Sequence, residues 1–229
     1  MVEPAPEATL ESGEPSPLSW LVLCGLLTGL LSAAVALVPL QGVAHVSDEV
    51  VYTLQAKLFA AGMRTGPPAE NPSMFLYPFW VTDPVSYGAF PPGWPAILSL
   101  GERFQLSWVI NPILACALPT LLFGLAREWT DLRTARLTAL ISAVSPAVWI
   151  LAGSRMSHTS VLVALAAASL IVVRNRDQSR YWVGAGAAIA YVVLARPFDA
   201  ALLGLPMMIW ACLRAPDHRR RIALISPII

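Results

Sequence analysis

Long apolar runs broken by short polar corners set the organisation of this chain. Residues 18–40 run for 23 positions without a charge, long enough to cross a bilayer as a helix. A second run covers residues 106–126, and shorter ones cover 137–152, 159–173, 181–195 and 200–213. The corners alternate in character. Residues 127–136 (REWTDLRTAR), 174–180 (RNRDQSR) and 214–221 (RAPDHRRR) are strongly basic, whereas 153–158 (GSRMSH) and 196–199 (RPFD) each carry a single arginine. Residues 222–229 open a further apolar run that is too short to cross. The chain is therefore expected to be the N-terminal part of a longer protein or a truncated product.

Composition agrees with the pattern. The 229 residues are 56% hydrophobic and 13% charged, with a mean hydropathy of +0.63; a soluble domain is about a quarter charged. Backbone groups in lipid must be satisfied within their own segment. The expected fold is thus an all-α integral membrane protein, a multi-pass helical bundle of six complete spans plus the start of a seventh. Residues 1–17 hold four glutamates, four prolines and no basic residue, and read as a disordered cytoplasmic tail. Residues 18–229 form the transmembrane module, and 41–105 within it form a long first extracytoplasmic loop. The tail lacks the basic start of a secretory signal, so the first run reads as a retained anchor. Ten of the fifteen basic residues sit in the three basic corners, which puts those corners and the N-terminus in the cytoplasm. A net charge of +1 points to no nucleic-acid partner. Lys57 is the only lysine among those fifteen, a bias that suggests a GC-rich, bacterial source and a bacterial inner membrane. Cys24, Cys116 and Cys212 lie in apolar runs and read as buried small side chains.

Candidate chemistry collects on the outer side. Residues 47–62 (SDEVVYTLQAKLFAAG) read as a short amphipathic helix over 47–61, with Ser47 as N-cap, Val50, Val51, Leu54, Leu58 and Ala61 on its apolar face, and Gly62 closing it. Asp48 and Glu49 at its head either complement the helix dipole or present a base or cation-holding carboxylate to a cavity. His45 lies three residues before Asp48 and reads as interfacial. The rest of the loop is rich in aromatics, prolines and glycines, which predicts order, with Pro91-Pro92-Gly93 as a turn and a second short helix over 95–100. The alternative for these aromatics is an interfacial belt. Arg155, His158 and Arg196 fall in corners between short apolar runs, where ionisable groups face a cavity or one another. They read either as an anion site, with arginine offering its fork to phosphate, or as snorkelling groups and a local Arg196–Asp199 pair. No His/Cys/Asp cluster has clear ligand spacing, so no metal site is assigned; a divalent cation beside Asp48/Glu49 is the one cofactor left open.

These residues resemble the GT-C superfamily of polyprenyl-phosphate-dependent glycosyltransferases, above all the bacterial relatives of protein O-mannosyltransferases (family 39) and of the lipid A aminoarabinose transferase. The resemblance rests on Asp48-Glu49 with Tyr52 and Gly62, on Tyr87 to Pro95 (YGAFPPGWP), on Ser145-Pro146, Ser157-His158 and Arg196-Pro197. It implies a catalytic acid at Asp48 with Glu49 as the second acid of the motif, and juxtamembrane helices in the loop. It also implies a sugar donor on polyprenyl phosphate, used on the extracytoplasmic side with inversion at the anomeric carbon. Arg155, His158 and Arg196 are then the candidates for the donor phosphate, and Tyr52, Tyr87, Pro92 and Trp94 for the acceptor side and its loop. The acceptor class (glycan, lipid or protein) stays open. The expected function is a membrane glycosyltransferase. The alternatives are a transporter or flippase for a lipid-linked anion, and a non-catalytic truncated remnant.

Overall fold

A computed structural model of the chain describes residues 17–174, 179–214 and 227. The expected disordered tail, up to residue 16, lies outside the described residues. So do the middle of the 174–180 corner, the basic corner beyond Arg214 and, apart from Pro227, the start of a seventh run. The fold is helical, with one small two-stranded antiparallel sheet pairing Trp80–Val81 with Tyr87–Gly88.

Helix α1 (Pro17–Leu37) is the first span. The first loop then folds into α2 (Ser47–Ala60), a 3-10 turn (Pro72–Phe75), the small sheet and α3 (Gly93–Glu102). The second span, Ser107–Arg127, is built from a 3-10 turn, α4 (Ile110–Ala115) and α5 (Leu118–Arg127). Next come α6 (Leu132–Ala143), α7 (Pro146–Gly153), α8 (His158–Arg174) and α9 (Ser179–Ala195). A final helical stretch joins α10 (Pro197–Asp199), a π segment (Ala200–Gly204) and α11 (Leu205–Arg214).

Of the six spans read from the sequence, Leu18–Leu37 and Ser107–Arg127 are long and apolar enough to cross a membrane, and α6 with α7 makes a third if the bent pair counts as one span. The remaining apolar helices are shorter, at 10–17 residues. The 48° bend between α6 and α7 has a local cause. Pro146 supplies no N–H, and Ser145 before it is extended at φ −75°, ψ 117°. Trp149 Nε1 donates to the carbonyl of Ala143 at 2.8 Å, satisfying backbone at the break.

The sequence boundaries shift in two places. Helix α6 starts inside the expected basic corner, because Asp131 caps it by accepting the Thr134 N–H at 2.7 Å. Ser47 is not the N-cap of α2: Val46 holds that position, and the Ser47 hydroxyl lies 3.5 Å from Asp48 Oδ1. Gly62 does close α2, with φ +76°. The buried face of α2 also differs from the expected one. It carries Glu49, Val51, Tyr52, Thr53, Gln55 and Ala56, so three polar side chains point inward where an apolar stripe was expected.

The first loop is ordered and seated on the bundle. Tyr52 and Ala56 of α2, Trp94 and Leu98 of α3, Val161 of α8, Val192 and Ala195 of α9, and Ala200 form one buried core. Gly93 allows this seating. A Cβ there would stand 2.7 Å from the backbone carbonyl of Leu194. Gly93→Ala is expected to cost about 1–3 kcal/mol, the usual penalty for overpacking a close contact. Gly184→Ala, in the interior of α9 with a Cβ that would meet nothing nearer than 3.7 Å, is expected to raise stability by about 0.5–1 kcal/mol. Thermal unfolding of the two variants in detergent measures the difference.

Candidate active site

The start of α2 is where the loop meets the corner between α7 and α8, and one carboxylate joins them. Glu49 is 3% exposed. Its Oε2 accepts the backbone N–H of His45 at 2.7 Å and, more weakly, that of Val46 at 3.4 Å. Its Oε1 accepts the backbone N–H of Arg155 at 2.9 Å. A buried charge is costly unless it is paired and hydrogen-bonded, and here both oxygens are engaged. The ring of His45 turns away, with Nε2 2.8 Å from the Leu40 carbonyl.

Arg155 returns the contact. Its Nη1 donates to Thr53 Oγ1 at 3.2 Å and its Nη2 to the Gly42 carbonyl at 2.6 Å, so the guanidinium grips the loop on both sides of Glu49. The Arg155 carbonyl accepts from Trp94 Nε1 at 2.7 Å, and Trp94 is fully buried. Asn111 of α4 donates through Nδ2 to the carbonyls of Ser154 and Met156, at 2.8 and 2.7 Å. The 153–158 corner is thereby held from three elements, and the grip fixes where Ser157 and His158 stand.

A second set of polar groups collects beside this clamp. Arg196 Nε donates to Asp199 Oδ2, and Arg196 Nη1 donates to Ser157 Oγ at 3.4 Å. The Ser157 side chain is near enough to the Tyr52 phenol to act on its ionisation. Burial pushes the Tyr52 phenol above its ordinary range; the Ser157 side chain and the Arg196 charge pull it down, and Asp48 and Asp199 push it further up. His158 stands at the corner, ahead of the apolar run of α8. Burial and then Arg196 hold its imidazole below the ordinary value of 6.5, against the opposing charges of Asp199 and Asp48. Its Nδ1 is buried without a partner among the described residues, as is Nε of Arg155. Asp48, Tyr52, Ser157, His158, Arg196 and Asp199 thus share one electrostatic neighbourhood, with Asp48 half-buried at its edge.

The matched region contains the corner and the Arg196 neighbourhood. The family model for dolichyl-phosphate-mannose–protein mannosyltransferases matches residues 94–229, well over half of the chain. The chain belongs to that family. No curated protein sequence matches it, and no solved structure does. Membership makes the chain a membrane glycosyltransferase of GT-C type in general terms. The match begins at Trp94, so Arg155, His158 and Arg196 fall inside it and the Asp48–Glu49 pair precedes it.

Against the sequence expectations, this mannosyltransferase-family chain splits its paired acids. Glu49 is spent on backbone, while half-buried Asp48, one helical turn before Tyr52, adds its charge to the field at Tyr52 and His158. Arg155, expected beside His158 and Arg196, directs Nη1 and Nη2 into the loop instead. The local Arg196–Asp199 pair is present. Tyr87 and Pro92 lie farther along the loop, lining an open cavity of about 450 Å³ with Gln55, Phe59, Arg64, Thr65, Gly88 and Phe90. Phe90 joins this cavity to the cluster, stacking on Tyr52 at 4.8 Å between ring centroids. For the cation left open beside the two acids, the fit is poor: both Glu49 oxygens already accept backbone donors, and the described residues contain no group of three or more His, Cys, Asp or Glu able to hold a metal. Sequence reasoning missed Thr53, Gln55 and Asn111. Asn111 had a visible signal, a carboxamide inside an otherwise apolar span. Gln55 gave none; it staples the loop by accepting from Gly88 N–H at 2.7 Å and donating to the Arg64 carbonyl at 2.9 Å.

Two measurements check this geometry. Glu49→Ala strands the Arg155 and His45 N–H donors and is expected to cost about 2–4 kcal/mol, seen as a lower melting temperature, while Asp48→Asn leaves stability unchanged. In an NMR titration, the His158 imidazole is expected to titrate below 6.5. Arg196→Gln removes a lowering charge and raises that value; Asp199→Asn removes a raising charge and lowers it.

Proposed function

We propose that the chain transfers a sugar from a polyprenyl-phosphate donor to an acceptor hydroxyl on the extracytoplasmic side, with Asp48 as general base. One observation carries this reading: of two adjacent acids, Glu49 is consumed by backbone donors, and Asp48 alone is left at the edge of the Tyr52–Ser157–His158–Arg196 neighbourhood. In the reaction, Asp48 takes the proton from the acceptor hydroxyl as its oxygen forms the new bond to the anomeric carbon. The old bond from that carbon to the phosphate oxygen breaks, and its electron pair stays on the phosphate. Arg196 and His158 stand to receive the developing charge, Arg196 as a cation and His158 as a neutral hydrogen-bond donor. Attack opposite the leaving phosphate inverts the anomeric centre.

The roles of the other expected residues follow from their contacts. Arg155 and Glu49 shape the site, and Trp94 fixes the corner behind it. The 450 Å³ cavity bearing Tyr87, Phe90 and Pro92 is our candidate for the acceptor side, joined to the reacting groups through Phe90 and Tyr52. The topology that fits is six crossings with the N-terminus and basic corners in the cytoplasm, in a bacterial inner membrane, with the shorter helices completed by their polar ends. The domain reading stays as a tail over 1–17 and one module over 18–229.

The test compares membranes carrying the full gene product with its Asp48→Asn variant, each supplied with polyprenyl-phosphate sugars. General-base removal is expected to lower the turnover rate by about 10²–10⁴-fold. Undiminished transfer by Asp48→Asn removes the base assignment. Absence of transfer from every lipid-linked sugar, with the same lipids moved across the bilayer, would favour a transporter.

A further inference from the structure

The 450 Å³ cavity beside Phe90 has one cation on its walls and no acid. The cation is Arg64. Its guanidinium makes no hydrogen bond or ion pair with the described residues; the part of Arg64 that is held is its carbonyl, which accepts from Gln55 Nε2 at 2.9 Å. The position of Arg64 is therefore fixed through its backbone while its charge is left to the cavity. Three aromatic side chains, Phe59, Tyr87 and Phe90, share those walls with it.

Much of the backbone around the cavity is already paired. Gln55, 4% exposed, takes the Gly88 N–H at 2.7 Å as well as the Arg64 carbonyl. Next to them, Gly66 and Ser86 exchange both of their backbone hydrogen bonds, at 2.7 and 3.0 Å. An extended peptide is recognised at a strand edge through main-chain hydrogen bonds, and Gln55 has taken the groups that would make them. Aromatic faces and a guanidinium remain. The electron-rich face of an aromatic ring attracts the C–H face of a sugar ring, and the arginine fork matches the two oxygens of a carboxylate. One guanidinium also balances one carboxylate. A phosphate monoester carries about 1.5 to 2 negative charges, and the excess would lie against aromatic walls with nothing to pair it.

We infer that this cavity holds an acceptor glycan bearing a carboxylate, a uronic acid unit, with Arg64 as the residue that selects it. Its role as acceptor rests on the transfer reaction proposed above; the binding chemistry stands without Asp48. The sugar ring lies on the aromatic walls, and Phe90 leads from them to Tyr52, on which it stacks.

The experiment is saturation-transfer NMR of the full chain in lipid nanodiscs, with glucuronate, glucose, a glucose phosphate monoester and an end-blocked serine–glutamate dipeptide as probes. Glucuronate is expected to bind about fivefold more tightly than glucose, the worth of one exposed ion pair. Arg64→Gln, which keeps the carbonyl that Gln55 holds, should remove that preference. Tyr87→Ala should weaken both sugars alike, and Arg103→Gln elsewhere in the loop should change neither. Melting temperatures confirm that each variant is folded. Asp48→Asn should bind glucuronate as the parent does, so loss of transfer without loss of the preference, or the reverse, separates this inference from the general-base assignment. The inference is overturned by undetectable binding of glucuronate, by equal binding of glucuronate and glucose, or by an unchanged preference in Arg64→Gln. It is also overturned if the phosphate monoester binds more tightly than glucuronate, or if the dipeptide displaces glucuronate at equal concentration.

Discussion

Glu49 accepts backbone donors from its own helix start and, through Arg155, from a corner 106 residues further along the chain. The rest of the face that carries the first loop depends on that bridge. A carboxylate buried this deeply persists only while its oxygens are satisfied, so the position of the α7–α8 corner and the position of α2 are set together. Arg155 closes the same bridge from the other direction, through Thr53 and the Gly42 carbonyl. Trp94 and Asn111 then hold the corner's carbonyls from α3 and α4. None of these contacts needs a substrate, and all of them decide where Ser157 and His158 stand.

The bridge also explains how two adjacent acids divide their work. Successive helical residues point about 100° apart, so when Glu49 turns into the protein, Asp48 is carried to a different face. That face meets Tyr52, one turn on, and through it Ser157, Arg196 and Asp199. The Arg196–Asp199 pair does not remove Arg196 from the neighbourhood, since Nη1 still reaches Ser157 and its charge still acts on His158 and Tyr52. The result is a mixed-charge cluster of partly buried groups, where a dielectric below that of water makes each charge count for more.

Much of the fold was legible in the sequence, because apolar run length and punctuation are strong signals. The two long spans, the order in the first loop, α2 with Gly62 at its end, and α3 near Pro95 all follow from patterns over neighbouring residues. The errors share a cause. The buried face of α2 was assigned by hydrophobicity, but Glu49, Thr53 and Gln55 turn inward because their partners come from distant segments, which local pattern cannot reveal. For Arg155 the sequence offered an anion site or a snorkelling group, and the structure adds Thr53 Oγ1 and the Gly42 carbonyl as partners of Nη1 and Nη2, both again from a distant segment. His158 and Arg196 were read only onto the same side of the bundle; their closeness, with the Arg196 charge acting on His158, comes from the packing of the two corners.

The shortness of those helices is itself tied to the site. A bilayer core asks for about 20 helical residues, yet α7, α8 and the stretch from Pro197 fall short of that. Each shortened end is where polar groups are spent on satisfying interrupted backbone: Asn111 on the carbonyls of 154 and 156, and Trp149 on that of 143. A chain that only needed to cross would continue its helices and need neither. Interrupting them places Ser157, His158, Arg196 and Asp199 at helix ends, with α2 and α3 packed against α8 and α9 beside them. A π segment follows Asp199 at once, a departure from regular helix of the kind that recurs at functional positions. The irregular backbone and the ionisable side chains thus occur together: the helix ends at the 153–158 and 196–199 corners are where the polar groups Ser157, His158, Arg196 and Asp199 collect.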